Sequence, residues 1–503
     1  MDEIRQVLWR VADLGITLWL KDDEVRFRCR KGVMTTELMR VLKSRRMEIA
    51  AELRRRVVPP MFRPMARPKL VRSFRQSSWE GYRSGRTGIE SANGPYLVGV
   101  VDSEAFAQAF KHAFSIVGNR YSILHSSVVE IAGVPYFKNS DRAAVYEEHD
   151  LSALAEDAGT EEATRLATHL VWREFDLVGE FLYRGFGIRI ACNRYILGIV
   201  LHHFISDSVS LDIIGHILAK LVAAHLSEKV SELPGLSFQY EDYLLVMNEW
   251  FESTSGRIAA EYWTSKLASA PPIVLPFEKC GHPVGWRDQV EIGRPISLKL
   301  AAMARHHGTT LFAVLLAVQY VLLYRYTMLE DVTVMTVTSG REDPILQDVV
   351  GYLADRAYCR TSLHGNPTFC EIIKRTWQTL CEAGAHSFYR FDPLQQELAK
   401  LDVDFAVPAF NFRPAAYDQP LAEQRPVGFW HPIRVQQPLR RSRQWGGVAR
   451  YWLVLRETNK GIYGHFHHKG GTVKHLAESF MATLAQVVEQ PTCRLQDFPV
   501  LPR

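Results

Sequence analysis

No two cysteines stand at CxxC spacing, and no HExxH stretch occurs anywhere in the 503 residues. The seven cysteines (Cys29, Cys192, Cys280, Cys359, Cys370, Cys381, Cys493) are scattered and odd in number. A zinc cluster and a disulfide framework are both disfavoured, and free thiols in a reducing cytoplasm are expected. A glycine-rich fingerprint between strand and helix is missing, as is regular βαβ alternation, so a nucleotide-binding fold is not expected. The N-terminus, MDEIRQ, lacks the basic-then-apolar order of a signal peptide. The longest nearly unbroken apolar run, residues 311–324, is too short to cross a bilayer and reads as a buried helix. No membrane partner is expected. Zinc-finger, RRM and recognition-helix signatures are also missing, which leaves a nucleic-acid partner without support.

Hydrophobic residues make up 47% of the chain, in keeping with a globular protein. Its length exceeds what one core usually serves, so two large lobes and a smaller module are expected. The net charge of +5 is localised: residues 1–60 hold 14 Lys/Arg against 9 Asp/Glu, a difference of +5, and the rest balances. A basic module ahead of a neutral body suggests docking to something acidic.

Residues 1–57 read as helix, hairpin, helix. Ile4, Val7, Leu8, Val11 and Leu14 follow helical spacing up to Gly15. Ile16, Leu18 and Leu20, then Val25, Phe27 and Cys29, alternate around the polar turn KDDE. Thr35 or Thr36 caps a second helix that places Leu38, Leu42, Ile49 and Leu53 on one face. Residues 58–70 form a proline-marked linker. The body divides near its middle, into residues 71–255 and 256–503, and both parts mix strands and helices.

The stretch LHHFISDS (201–208) carries the chemistry. It follows YILGIVL (195–201), a run suited to a strand buried on both faces. It precedes residues 208–226, where Ile213, Ile214, Ile217, Leu218 and Leu221 share a helical stripe. Neighbours on a strand point to opposite faces, so His202 and His203 do not both face one substrate. Such a divergent pair makes a poor metal clamp, and no metal is expected. Asp207 and Ser208 stand where a helix N-cap belongs. The residues alone leave two readings open: a histidine general base, or two structural histidines closing a strand.

HHxxxD after an apolar strand resembles the active-site motif of nonribosomal peptide synthetase condensation domains, in the chloramphenicol-acetyltransferase-like superfamily. Further stretches follow in the family's order: NRYSILHSSV (119–128), REFDLVGEFLYRGFGIRI (173–190), LSFQYEDYLLVMNEW (236–250), residues 306–343 ending in Gly-Arg, GYLADRAYCR (351–360) and GAHSFYRFDPL (384–394). The likeness spans residues 70–503, and the first sixty resemble the tubulysin-type docking domain with its exposed β-hairpin.

The resemblance implies an α/β (α+β) fold of two acetyltransferase-like lobes in a V-shaped pseudo-dimer with a tunnel between them. The small helix–hairpin–helix docking domain would precede it. It implies an acyltransferase with no cofactor of its own. Its acyl, polyketidyl or peptidyl donor would ride on the phosphopantetheine of a partner acyl or peptidyl carrier protein, and the acceptor would be an amine or hydroxyl. It places the catalytic role on His203, a structural role on His202, and an architectural pairing on Asp207 and Arg341.

Departures from the family pattern are Ser208, where Gly is usual, and Asp355, where many members have Asn. Ser208 is read as a helix cap or a residue narrowing the tunnel, and Asp355 as a candidate tunnel residue. The early Pro-Leu-Ser pattern survives only as LVRSFRQ (70–76). Carrier-protein and adenylation motifs are missing, so the thioester partners are expected to be other proteins, or the acceptor a free small molecule. The architecture resembles free-standing chain-releasing condensation enzymes of the enacyloxin type, and equally suits the front end of a longer synthetase. In the docking domain, Arg26, Arg28, Arg30 and Lys31 are expected to attract the acidic C-terminal tail of an upstream synthase subunit, which adds as a strand. An epimerase of the same superfamily and a non-catalytic recruitment domain are the competing functions.

Overall fold

A computed structural model describes residues 34–55, 68–84, 93–140, 144–230, 233–275, 287–400, 407–414, 449–468 and 474–498, with shorter pieces between 4 and 29 and at 62–65, 431–433 and 435. The two alternating runs near the N-terminus pair as an antiparallel hairpin, β1 (Thr17–Lys21) with β2 (Glu24–Arg28), Leu18 opposite Phe27. Ile4, Leu8, Val11 and Ile16 pack with Leu38, Leu42, Ile49 and Leu53 in a small core of their own. The Thr35 hydroxyl caps helix Thr36–Ser44, accepting from the Leu38 amide at 3.1 Å. The single second helix expected from the sequence is in fact two. The chain breaks at Arg45 and resumes as helix Arg46–Arg55. At the break the Val41 carbonyl accepts both the Ser44 hydroxyl and the Arg45 amide, each at 3.1 Å. On the hairpin Phe27 is 41% exposed, and Arg26 reaches Glu24 at 2.7 Å. Arg30, Lys31 and Cys280 lie outside the described residues. The other six cysteines are free thiols.

From residue 70 the chain lays down β3 (Leu70–Arg72), β4 (Asn93–Val101), β5 (Ser126–Ile131), β6 (Val134–Asn139), β7 (Val145–Asp150), β8 (Tyr183–Ala191) and β9 (Arg194–His202). β3, β6 and β5 form a small antiparallel sheet. In the main sheet of this lobe β9 lies between β4 and β8, antiparallel to both, and β7 runs parallel to β8. The apolar run is thereby covered on both faces, and residues 196–202 are all buried. Tyr183 stacks on Phe114 of helix Glu104–Arg120, at 4.4 Å between ring centroids. Across the sheet, Ile190 lies against Gly159 of helix Glu156–Trp172. Helix Ser208–Leu226 is apolar and long enough to cross a membrane by composition alone. Ile214, Leu218, Leu221 and Val222 are instead buried within the main core.

The second lobe is a six-stranded sheet built on β10 (Arg287–Gly293), β11 (Asp331–Thr338), β12 (Asp355–Ser362), β13 (Val407–Arg413), β15 (Ala449–Thr458) and β16 (Gly461–His468). The order is β10-β16-β15-β13-β11-β12. Helix Leu311–Thr327, capped by Thr310, is buried continuously from Ala313 to Arg325, as its unbroken apolar sequence requires. Arg413 at the end of β13 reaches Asp212 of helix Ser208–Leu226 at 2.7 Å, so the lobes meet through charge as well as apolar packing.

The boundary expected at 255/256 does not separate the sheets strand by strand. β14 (His431–Pro432), from the second half of the chain, pairs antiparallel with β4 and completes the first lobe's sheet as β14-β4-β9-β8-β7. The pairing is confined to His431 opposite Val100 and Pro432 opposite Gly99. So short a strand leaves no alternation to read from sequence.

Candidate active site

At His202 the chain leaves β9 through a tight turn. The Ile205 amide and the Ser206 hydroxyl both donate to the His202 carbonyl, at 3.1 and 2.9 Å. His202 is 1% exposed and meets Phe175 edge-on. Its Nδ1 accepts from the Phe204 amide at 3.0 Å, which leaves the ring proton on Nε2. Burial, reinforced by His203, Arg75 and Arg184, holds this ring well below the usual histidine range, so it stays neutral. His203 faces the other way and is only part-buried. Its Nδ1 lies 3.2 Å from the Ser206 carbonyl oxygen. A carbonyl only accepts, so Nδ1 carries a proton, and in the neutral ring Nε2 keeps its lone pair. The two neighbours thus hold opposite tautomers. β4 closes over this turn, with Asn93 opposite His202. A Cβ on Gly94 would stand 2.8 Å from the His203 amide nitrogen, so only glycine allows that approach.

Four residues on, Asp207 caps helix Ser208–Leu226 and bridges the lobes. One carboxylate oxygen accepts from the Ser210 amide and hydroxyl, each at 2.8 Å, and from Arg341 Nη2 at 3.0 Å. The other accepts from Arg341 Nη1 at 2.7 Å and from the amides of Leu353 and Ala354, each at 3.0 Å. Burial pushes this carboxyl up. The Arg341 charge and hydrogen bonds, with the Ser210 and Ala354 amides, outweigh it and hold the group below the usual carboxylate range. The far side of the same peptide is gripped by Arg390, which donates to the Leu353 carbonyl at 2.6 Å and the Ala354 carbonyl at 3.2 Å. Arg390 also pairs with Asp355 at 3.0 Å. Segment 351–355 is therefore held from both edges. Gly340, at φ +65°, allows the turn into Arg341, since a Cβ there would lie 2.0 Å from the Leu353 oxygen.

The Condensation domain family model matches residues 96–503. The chain belongs to the condensation domain family. Members of this family are amide- or ester-forming acyltransferases. Residues 4–54 match the TubC N-terminal docking domain family. A linear gramicidin synthase component from Brevibacillus parabrevis is 33% identical over 257 residues, which cover 50% of this chain and 5% of that protein. Gramicidin S synthase 2 of Aneurinibacillus migulanus is 25% identical over 415 residues, 78% of this chain and 9% of that protein. The chain thus spans a small fraction of these relatives' length. Among solved structures, the complex of the X-domain and OxyB from teicoplanin biosynthesis aligns with a TM-score of 0.73 at 19% identity, covering 89% of this chain and 99% of that one. The chain-releasing condensation domain of the enacyloxin polyketide synthase aligns at 0.62 with 20% identity, covering 100% and 98%. The first condensation domain of the calcium-dependent antibiotic synthetase, with a substrate analogue, aligns at 0.66 with 16% identity, covering 87% and 100%. At these identities the likeness is one of fold.

In this condensation domain His203, Asp207 and Arg341 come together at one junction between the lobes, with His202 packed behind them. Ser208 does not act as the cap. It is the first helical residue and is exposed, while Asp207 takes the cap through a capping box with Ser210. Asp355, expected as a tunnel residue, is buried, and its carboxylate takes Arg390 and the Phe391 amide, the latter at 2.8 Å. Sequence reasoning passed over Ser210, Gly94, Arg390, Arg75 and Tyr352. Ser210 alone carried a local signal, the Asp-x-x-Ser spacing of a cap.

Removing one partner of the Asp207–Arg341 pair strands a buried charge. Asp207→Ala is expected to lose about 3–5 kcal/mol in urea unfolding, and Asp207→Ala with Arg341→Met to recover much of it. Equal, additive losses would contradict the pairing. His202 supplies a pH signature. Its folded value is depressed, so the unfolded chain takes the extra proton once pH falls below about 6.5. Stability from this residue is complete above that pH and declines below it, by at most about 1.4 kcal/mol per pH unit. Urea unfolding of His202→Asn between pH 7 and 5 is expected to show a shallower slope than the wild type.

Proposed function

We propose that the chain transfers an acyl group from a carrier-bound phosphopantetheine thioester to an amine or hydroxyl, with His203 as general base. The observation that carries this is the His203–Ser206 contact, which puts the ring proton on Nδ1 and directs a basic Nε2 away from the turn. The acceptor nitrogen or oxygen attacks the thioester carbonyl as its proton passes to Nε2. The tetrahedral adduct collapses, the carbon–sulfur bond breaks, and the departing thiolate takes the proton back from the imidazolium. The thioester is already activated, so no covalent enzyme intermediate is required. An α-amine has a pKa of roughly 8, whereas a hydroxyl is far less acidic and depends more on the base. His202, Asp207 and Arg341 serve architecture in this scheme, by fixing the turn that presents His203.

The finer form of the proposal is chain release onto a free small-molecule acceptor. The enacyloxin structure, named for condensation domain-mediated chain release, aligns over the docking module and the body together, as this chain is built. The donor would arrive on a partner synthase subunit. Its acidic C-terminal tail would add as a strand to the hairpin, drawn by Arg26 and Arg28. A recruiting role is the second reading, because an X-domain in complex with OxyB shares the fold.

Incubation with loaded carrier protein and either an amine or an alcohol acceptor, followed by intact-mass analysis, separates these readings. Acyl loss from the carrier matched by product is expected for the wild type, and none above background for folded His203→Ala. Exchange of the α-proton without transfer would point to an epimerase, and neither event to a recruiter. With a tailed donor protein, Arg26→Glu is expected to raise the KM for that donor while leaving a tail-less carrier unaffected.

A further inference from the structure

We infer that Tyr352 is a positioning residue for the His203 imidazole, and that Arg75, stacked on the tyrosine face, clamps it in place. The two rings meet edge to face, 88° apart, with centroids separated by 6.4 Å. The Arg75 guanidinium carbon stands 3.6 Å from the centre of the Tyr352 ring, close enough for a cation–π contact. Arg75 is itself buried and anchored. Its Nη2 donates to Ser78 at 2.9 Å, its amide to the Ser73 hydroxyl at 3.2 Å, and it lies 5.8 Å from the Phe204 ring.

The backbone of Tyr352 has little freedom. Its carbonyl accepts from the Tyr240 hydroxyl at 3.1 Å, and the next two amides donate to Asp207. Gly351 before it packs so tightly on Tyr240 that a Cβ would fall 2.2 Å from that ring. A fixed backbone and a stacked cation leave the tyrosine ring one place to stand.

His203 Nδ1 is hydrogen-bonded to the Ser206 carbonyl. That bond sets which nitrogen carries the proton, whereas the plane of the ring is set by what packs against its face and edge. An aromatic wall against the ring selects one rotamer, which aims Nε2. The arrangement also links the lobes. His203 and Arg75 belong to the first, Tyr352 to the second, so the base is aimed only while the lobes are docked.

The inference rests on His203 being the base, and the test keeps the two apart. Transfer is measured at steady state with loaded carrier and acceptor for Tyr352→Leu, Tyr352→Phe, Arg75→Met and His203→Ala, with melting curves for each. Tyr352→Leu is expected to lower kcat roughly ten- to a hundredfold with both KM values within about twofold, as misaimed catalytic groups do. Tyr352→Phe, which keeps the ring, restores the rate. Should Tyr352→Leu fail to fold, Arg75→Met leaves the ring in place unclamped and carries the same expectation of a kcat loss. Unchanged kcat in both Tyr352→Leu and Arg75→Met, beside an inactive His203→Ala, would overturn the positioning role and leave the base standing. Equal losses from Tyr352→Phe and Tyr352→Leu would also overturn it, by assigning the effect to the hydroxyl. An active His203→Ala would remove the base and this inference together.

Discussion

A buried carboxylate that accepts six hydrogen bonds from two lobes governs the geometry of this protein. Asp207 ties the start of one helix to Arg341 and to the peptide 353–354 across the junction. Such a pair is weak evidence of added stability, because desolvating both charges offsets most of their attraction. Its contribution is direction. A carboxylate satisfied at both oxygens by donors at fixed places admits one arrangement of the turn and one docking of the lobes. Arg390 completes the arrangement by holding the opposite edge of the same peptide.

The turn so fixed divides two adjacent histidines by an elementary property of strands, that neighbours face opposite ways. Burial keeps His202 neutral, and its Nδ1 holds the turn's backbone. His203, at the border of the core, spends no lone pair on the turn, because its bond to Ser206 uses the Nδ1 proton. The same pair of residue types thus yields one ring buried against the turn's backbone and one, part-buried, that gives the turn its Nδ1 proton. For a reaction whose donor is already a thioester, a placed base and a placed acceptor account for most of what an enzyme must add.

Much of this was legible in the sequence, for identifiable reasons. A seven-residue apolar run between polar segments reads as a doubly covered strand, and the stripe in 208–226 reads as a helix whose ends matched the structure. Strand geometry showed only that the two histidines part company, and the family resemblance carried by HHxxxD singled out His203. Features that depend on distant partners were hidden. Ser208 and Asp207 compete equally for a cap by position, and only the Ser210 contact and Arg341 decide for Asp207. Asp355 reads as a loop-side polar group until Arg390, 35 residues later, is brought beside it. β14 pairs over two residues, too few to show a period, and the break at Arg45 falls inside a stretch whose apolar spacing continues across it. Arg75 sat in a stretch noted only for its departure from a pattern, although it stacks on the ring beside the catalytic candidate.

The opposed tautomers of the histidine pair are the most direct consequence of this account, and nitrogen NMR of the histidine-labelled protein near pH 7.5 reads them without substrate. His203 is expected with its proton on Nδ1, and His202 as the neutral Nε2-protonated form. A His203 ring protonated at Nε2, and so without a basic nitrogen facing outward, would contradict the account at its centre.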